Sequence, residues 1–303
     1  MPTIARHFAR LFMLLSLFSY HSVKADTSDT DPNSPPSNST PQSTQSTQST
    51  QSTQSTQSTQ STSSFSPHKP HSTNSLKRHH TIKRKTDFQF SLDLGWDSQY
   101  VSQGQNNLRK GGIYWSTATL TQNAFNYYVA LGRGDQLNYI EWNLGIEYDF
   151  TILDHLDAGI AYQRDEYRGD EPGFDNEWLA HFTYSQYPWL MPSITYDYST
   201  QASGYFLELS LHSDWAINQQ LHLTPYVTQG YDVHYVTRQT KGINHVELGL
   251  IAQYTLKNGF ALSGLFAHSI GEKNIKAGIN NGEIANGKNH TYAGLHLNWL
   301  INF

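Results

Sequence analysis

The sequence predicts an all-β fold, an antiparallel transmembrane β-barrel of about twelve strands, preceded by a signal peptide and a disordered tether. Three observations predict it. Residues 293–303 alternate strictly, with Ala293, Leu295, Leu297, Trp299, Ile301 and Phe303 on one face and Gly294, His296 and Asn298 on the other, the period of a strand. The same period returns in segment after segment from Asp87 onward. The connections between those segments alternate short and long, as in outer-membrane barrels.

The N-terminus is read first. Arg6 and Arg10 precede an apolar run from Leu11 to Phe18, and Val23-Lys24-Ala25 offers small residues for cleavage, so residues 1–25 are expected to be a signal peptide. The run is too short to cross a bilayer alone. The chain has no cysteine, which excludes a disulfide framework, a thiolate site and a lipoprotein anchor. Residues 26–67 are a polar tract with a Ser-Thr-Gln repeat from Ser43. It has too little apolar surface to offset its own ordering entropy and is expected to be a disordered tether. Residues 68–86 form a linker with Lys69, Lys77, Arg78, Lys83, Arg84 and Lys85, four histidines and no acid before Asp87.

The barrel is expected over 87–303. Phe88, Phe90, Leu92, Leu94 and Trp96 alternate with Gln89, Ser91, Asp93 and Gly95. Residues 112–120 are apolar enough for a strand but do not declare which face is which. The alternation is clear at 125–132 and 140–150, and returns near 156–164, 176–184, 192–199, 205–212, 221–229, 245–255, 260–268 and 293–303. That gives twelve strands, an even number as bacterial single-chain barrels have. Mean hydropathy is only -0.58, because only alternate residues of a barrel strand face lipid. Threading the strands sorts the outward aromatics into two girdles. Phe88, Tyr148, Phe150, Phe182, Tyr184, Tyr254, Phe260 and Phe303 fall at one end, and Trp142, Tyr162, Trp178, Tyr196 and Tyr198 toward the other, matching the two membrane interfaces. Long connections are expected at 97–111, 165–175, 230–244 and 269–289 on the outer side, which leaves both barrel ends and the tether in the periplasm.

The stretch Ser91-Leu-Asp-Leu-Gly-Trp-Asp-Ser-Gln-Tyr-Val-Ser-Gln-Gly104, followed by Gly111-Gly-Ile-Tyr-Trp115, resembles the opening of the TorF-like porins and related outer-membrane proteins. The resemblance extends over about 88–303 and implies an outer-membrane barrel acting as a pore. It carries over no catalytic residue, and the Ser-Thr-Gln tether departs from it. The last strand is similar to the C-terminal assembly signal of such barrels, with Trp299, Ile301 and Phe303 as its outward residues.

The same threading points Asp93, Glu141, Glu147, Asp149, Asp157, Glu177, Asp197, Glu208 and Glu247 into the lumen, with no inward lysine or arginine. From Asp87 onward there are 22 acidic and 11 basic residues. A lumen of one sign attracts the opposite ion, so these nine residues are expected to line a path that draws cations, unless loop bases such as Arg109, Lys110, Lys241 or Lys273 fold in to pair them. His181, His212, His222 and His296 also point inward, with no ligand spacing on one strand, so no metal site and no cofactor are expected. Arg133 and Arg164 point outward near the outer rim, where they snorkel or meet lipopolysaccharide phosphates.

The function expected from these features is passive diffusion of small cationic or neutral solutes through an outer-membrane channel. No enzyme is expected, since no motif marks inward Ser91, Ser193 or Ser210. The alternatives left open are a barrel-embedded lipid hydrolase and a surface-interaction protein without transport. Expected partners are outer-membrane lipid, lipopolysaccharide and the barrel-assembly machinery, and peptidoglycan through the tether, with no nucleic acid. The basic linker faces an acidic mouth, and either rests on peptidoglycan or lipid or dips into that mouth.

Overall fold

The computed structural model describes residues 88–170 and 172–303. The expected signal peptide, tether and basic linker lie outside these residues.

Twelve antiparallel strands close on themselves. They are β1 (Phe88–Asp97), β4 (Ile113–Gln122), β5 (Phe125–Gly134), β6 (Tyr139–Leu153), β7 (Leu156–Gly169), β8 (Gly173–Tyr184), β9 (Met191–Ser199), β10 (Gly204–His212), β12 (Leu221–Val233), β13 (Lys241–Thr255), β14 (Phe260–Gly271) and β15 (Asn289–Asn302). Each pairs with its chain neighbours, β10 passes directly to β12, and β1 pairs with β15. A two-residue strand, β11 (Trp215–Ala216), extends the β12 edge within the connection from β10. Two more short strands, β2 (Val101–Ser102) and β3 (Gln105–Asn106), form a separate hairpin. A helix, α1 (Lys273–Asn280), follows β14. Among the described residues no helix is long and apolar enough to cross a membrane; the crossing is made by strands.

Closure leaves no sheet edge, which is what lets strands stand in lipid. The outward positions are apolar and open: Leu94, Leu144, Ile146, Ile160, Leu209, Leu248, Leu250, Phe266 and Leu295 are all exposed. The inward positions are largely polar and buried. A soluble barrel would reverse that sorting. Both aromatic girdles are present. Phe125 and Tyr148 lie 4.9 Å apart and Phe260 stacks on Trp299 at 5.4 Å toward one end, while Tyr162 meets Trp178 edge-on at 5.2 Å and Tyr196 stacks on Tyr205 at 5.5 Å toward the other.

The connections at one end, 123–124, 154–155, 185–190, 213–220 and 256–259, are mostly short, and the barrel's first and last strands start and stop there. The other end carries 98–112 and 272–288, together with 135–138, 170–172, 200–203 and 234–240. Two expected long connections are therefore shorter than the alternation suggests. The strands run on past the apolar belt, so 165–175 shrinks to 170–172 and 230–244 to 234–240. A crossing needs about 9–11 residues, whereas β6 and β13 have 15 each. Beyond the bilayer both strand faces meet polar surroundings, so pairing continues while the alternation fades. Arg164-Asp-Glu-Tyr-Arg168 is that extension in β7.

The segment 112–120 is settled by register. Asp93 pairs with Thr117, so Ile113 and Trp115 point inward and Tyr114 points out. Their burial agrees: Ile113 is 0% and Tyr114 55% exposed.

The loop after β12 is built on one carboxylate. Asp232 accepts the backbone N–H groups of Tyr235 (2.8 Å), Val236 (3.0 Å) and Thr237 (3.0 Å), and the Thr237 hydroxyl (2.8 Å). Asp232→Ala would strand those buried donors, each worth roughly 1–3 kcal/mol when unsatisfied. The expected result is faster proteolysis within 234–240 while the barrel still migrates as a folded, heat-modifiable band.

Candidate pore-lining site

The interior is filled from the long-loop end by the β1–β4 connection. Gln103 and Gly104 both have positive φ, 43° and 76°, as a two-residue hairpin turn of this hand requires. The hairpin turns into the lumen: Tyr100, Val101, Ser102, Gln103, Gln105 and Leu108 are all buried. At its base Tyr100 and Leu108 join inward Ile113, Trp115, Tyr139 and Tyr167 in one apolar cluster, with Tyr100 edge-on to Trp115 at 5.3 Å. At its tip Gly104 lies so close to β13 that a Cβ there would stand 2.6 Å from Asn244 Oδ1 and 2.7 Å from His245 Cβ. Val101 packs on inward Ala267 and Tyr292 of β14 and β15. The hairpin thus spans the lumen from wall to wall.

A second layer covers it. Ile275 of α1 and Ile284 pack with Phe206, Tyr235 and Val236, and Asn274 donates to the Thr237 and Thr240 hydroxyls at 2.9 and 3.0 Å. Asn286 donates to the carbonyls of Asn106 (2.5 Å) and Leu108 (3.2 Å), tying this layer to the hairpin.

The nine predicted acids all project from the inward face, and they separate into distinct settings. Glu141 and Glu177 are 0% exposed. A buried carboxylate is costly unless its oxygens are bonded. Glu141 accepts Tyr100 Oη (3.1 Å), Tyr139 Oη (2.5 Å) and Asn143 Nδ2 (2.9 Å), and Glu177 accepts Tyr235 Oη (2.5 Å). Burial, with the Glu141 carboxylate beside it, pushes the Tyr100 phenol well above its ordinary range, so it remains a donor. Glu247 accepts Tyr226 Oη (2.9 Å) and Tyr292 Oη (3.0 Å). Asp93 contacts His296 Nδ1 at 2.8 Å, whose Nε2 faces Asp97 at 3.3 Å. Asp157 accepts Thr151 Oγ1 (3.0 Å) and Ser185 Oγ (3.4 Å) near the short-turn rim. Glu147 and Asp149 stand together beside His181. Asp197 is half-buried on β9.

Glu208 and Glu247 border a cavity of about 70 Å³ between the hairpin and the opposite wall. It is lined by Val101, Ser102 and Gln103 on one side and by Ser193, Thr195, Glu208, Ser210, Tyr226, Thr228, His245 and Glu247 on the other. The space admits a few water molecules. Ser210, one of the inward serines, is bonded to Thr228 Oγ1 at 2.7 Å.

Sequence reasoning missed four further inward carboxylates. Asp165 (accepting Gln163 Nε2 at 2.7 Å) and Asp175 face each other across β7 and β8, both 0% exposed. Asp175 is also held by Ser199 Oγ and the Gln201 N–H. Asp97 and Asp232 complete the set. All four stand at strand ends, within the expected connections 97–111, 165–175 and 230–244. Extending the alternation by a few residues would have found them. The same applies to buried His290, while His245 stands two residues before Glu247 on the same face. Among the described residues, no lysine or arginine occupies an inward position of the twelve strands. Outward Arg164 is engaged by Glu166 (2.7 Å) and Asn176 (3.2 Å) and lies 4.0 Å over the Phe174 ring.

No protein-family model matches the chain, and no curated protein matches it. Solved structures are similar at low identity. The KdgM porin in complex with disordered oligogalacturonate is 8% identical over 69% of this chain and 98% of that one, with TM-score 0.49. The NanC porin is 10% identical over 70% and 98%, with TM-score 0.44. An outer membrane channel from Pseudomonas putida F1 is 7% identical over 74% and 98%, also at 0.44. At these scores the likeness carries no functional weight; the fold rests on the strand pairing.

Proposed function

We propose that this barrel is an outer-membrane channel for passive diffusion of small cationic or neutral solutes, with the short turns on the periplasmic side. The observation that carries the reading is the inward wall, with thirteen carboxylates and, among the described residues, no lysine or arginine at an inward strand position. Low-dielectric walls focus such a field along the axis. Tyrosine hydroxyls hold several of these acids in place, so the field is fixed rather than mobile. On this reading the route passes the hairpin tip through the cavity bordered by Glu208 and Glu247, whose small volume predicts small conductance.

The test is reversal potential across a planar bilayer under a salt gradient. The unmodified protein should prefer cations. Glu208→Gln with Glu247→Gln should shift the reversal potential toward zero with little change in folding, since both amides still hydrogen-bond. Anion preference, or no conductance at any salt, would reject the reading.

A further inference from the structure

At the short-turn end of the interior, two of these inward carboxylates converge with an imidazole. Glu147 and Asp149 sit two residues apart on β6, so both point inward. His181 reaches them from β8, across the intervening strand. His181 Nδ1 is 3.4 Å from Glu147 Oε1 and Nε2 is 3.8 Å from Asp149 Oδ1, and one ligand atom from each residue lies within 4.8 Å of the other two.

The residue between them is what lets them meet. Asp149 pairs with Gly159, and Gly159 pairs with His181. A Cβ at 159 would fall 2.3 Å from His181 Cε1 and 2.6 Å from Asp149 Oδ1. Any other residue there would drive the imidazole and the carboxylate apart. Glu147 likewise pairs with small Ala161. The carboxylates are oriented from the other side by Asn126 on β5, whose Nδ2 donates to Asp149 Oδ2 at 2.7 Å and to Glu147 Oε2 at 3.4 Å. Asn126 itself accepts Thr121 Oγ1 at 2.7 Å. The result is an outer shell that fixes two ligating groups, as metal sites have.

We propose that Glu147, Asp149 and His181 bind a divalent transition cation of the zinc type. Such ions take imidazole nitrogen and carboxylate oxygen at roughly 2.0–2.2 Å, which sets ligand atoms about 3–4 Å apart; one nitrogen of His181 and one oxygen of each carboxylate lie within 4.8 Å of one another, so a small side-chain shift closes them on the ion. One imidazole with two carboxylates suits zinc, cobalt, nickel or manganese better than a purely oxygen-preferring ion. Access comes from the lumen, since the Asp149 side chain is 45% and the His181 side chain 31% exposed. The inference deepens the channel reading by naming a cation class that its interior holds, and rests on that reading only for the ion's route inward.

The experiment is calorimetric titration of the purified full-length protein in detergent with zinc chloride, followed by the cobalt absorption spectrum of the same samples. His68, His71, His79 and His80 of the linker are rival ligands in the same chain, so the decisive comparison is among variants. His181→Gln, and separately Glu147→Gln with Asp149→Asn, should each weaken one class of site by about tenfold or more, equivalent to about 1.4 kcal/mol or more, and abolish its cobalt bands. His212→Gln should leave that class unchanged. Heat-modifiable migration confirms that each variant is folded, and Asp149→Asn alone serves if His181→Gln is not. Titrations that superimpose across all variants, or no zinc binding by the unmodified protein, would overturn the site. Either result leaves conductance untouched, so the channel reading stands or falls separately.

Discussion

Replacing residues 100–108 with a short Gly-Ser linker is expected to raise single-channel conductance roughly threefold or more while the barrel stays closed. Twelve strands enclose more space than their own inward side chains fill, and what occupies the remainder decides whether anything passes. Here that occupant is the β2–β3 hairpin, held by Tyr100 on Glu141, by Val101 against Tyr292 and by Asn286 on the Asn106 and Leu108 carbonyls. None of the strand-pairing hydrogen bonds of the wall depends on it. Gly104→Val should act in the same direction to a smaller extent. It forces a β-branched residue into positive φ and drives a side chain into Asn244 and His245. Unchanged conductance in the hairpin replacement would show that the path does not run through the space the hairpin occupies.

The second large effect is on stability and has opposite outcomes on the two faces of the wall. Leu250 is outward, 39% exposed, between Leu248 and Ala252 on the apolar face of β13 and paired with Phe266. Leu250→Arg is expected to cost about 2–4 kcal/mol, the penalty for arginine facing the bilayer midplane. Thr195→Arg, on the inward face and bordering the cavity, is expected to cost far less and to move selectivity toward anions by placing a guanidinium beside Glu208. Reversible urea unfolding in lipid vesicles reads the first, and reversal potential the second. Equal destabilisation by the two would mean the faces are not divided between lipid and lumen.

How far the sequence reached can be told from particular elements. All twelve strands were legible, because a bilayer outside and polar groups inside enforce period two wherever the wall crosses lipid. The legibility stopped where lipid stops. Asp165 and Asp175 lie on paired strands above the belt, where both faces are polar and the pattern dissolves. The face assignment of β4 was not readable either, because Trp115 points inward against Tyr100, Leu108 and Tyr139, and an apolar inward residue looks the same in sequence as an outward one. The nine acids were found by parity alone. Their partners were not, since Tyr100, Tyr235 and Tyr292 reach them from a loop, a loop and a distant strand, and no spacing along the chain announces that. Gly159 had no meaning in sequence until register placed it between Asp149 and His181.

The seam between β1 and β15 bears on how the molecule comes to exist. Gln89 through Asp97 pair with Asn302 through Gly294, about two hundred residues away along the chain. Until the last strand is available, β1 offers a bare edge and the growing sheet has a gap as wide as the missing strands. The circumference is therefore an all-or-nothing quantity. Excising one hairpin would not trim the wall but would ask the two ends to meet at a different radius, with a different tilt and an interior too narrow for the same contents. Evolution and engineering can rewrite the loops of such a molecule one at a time, but its ring can be altered only as a whole.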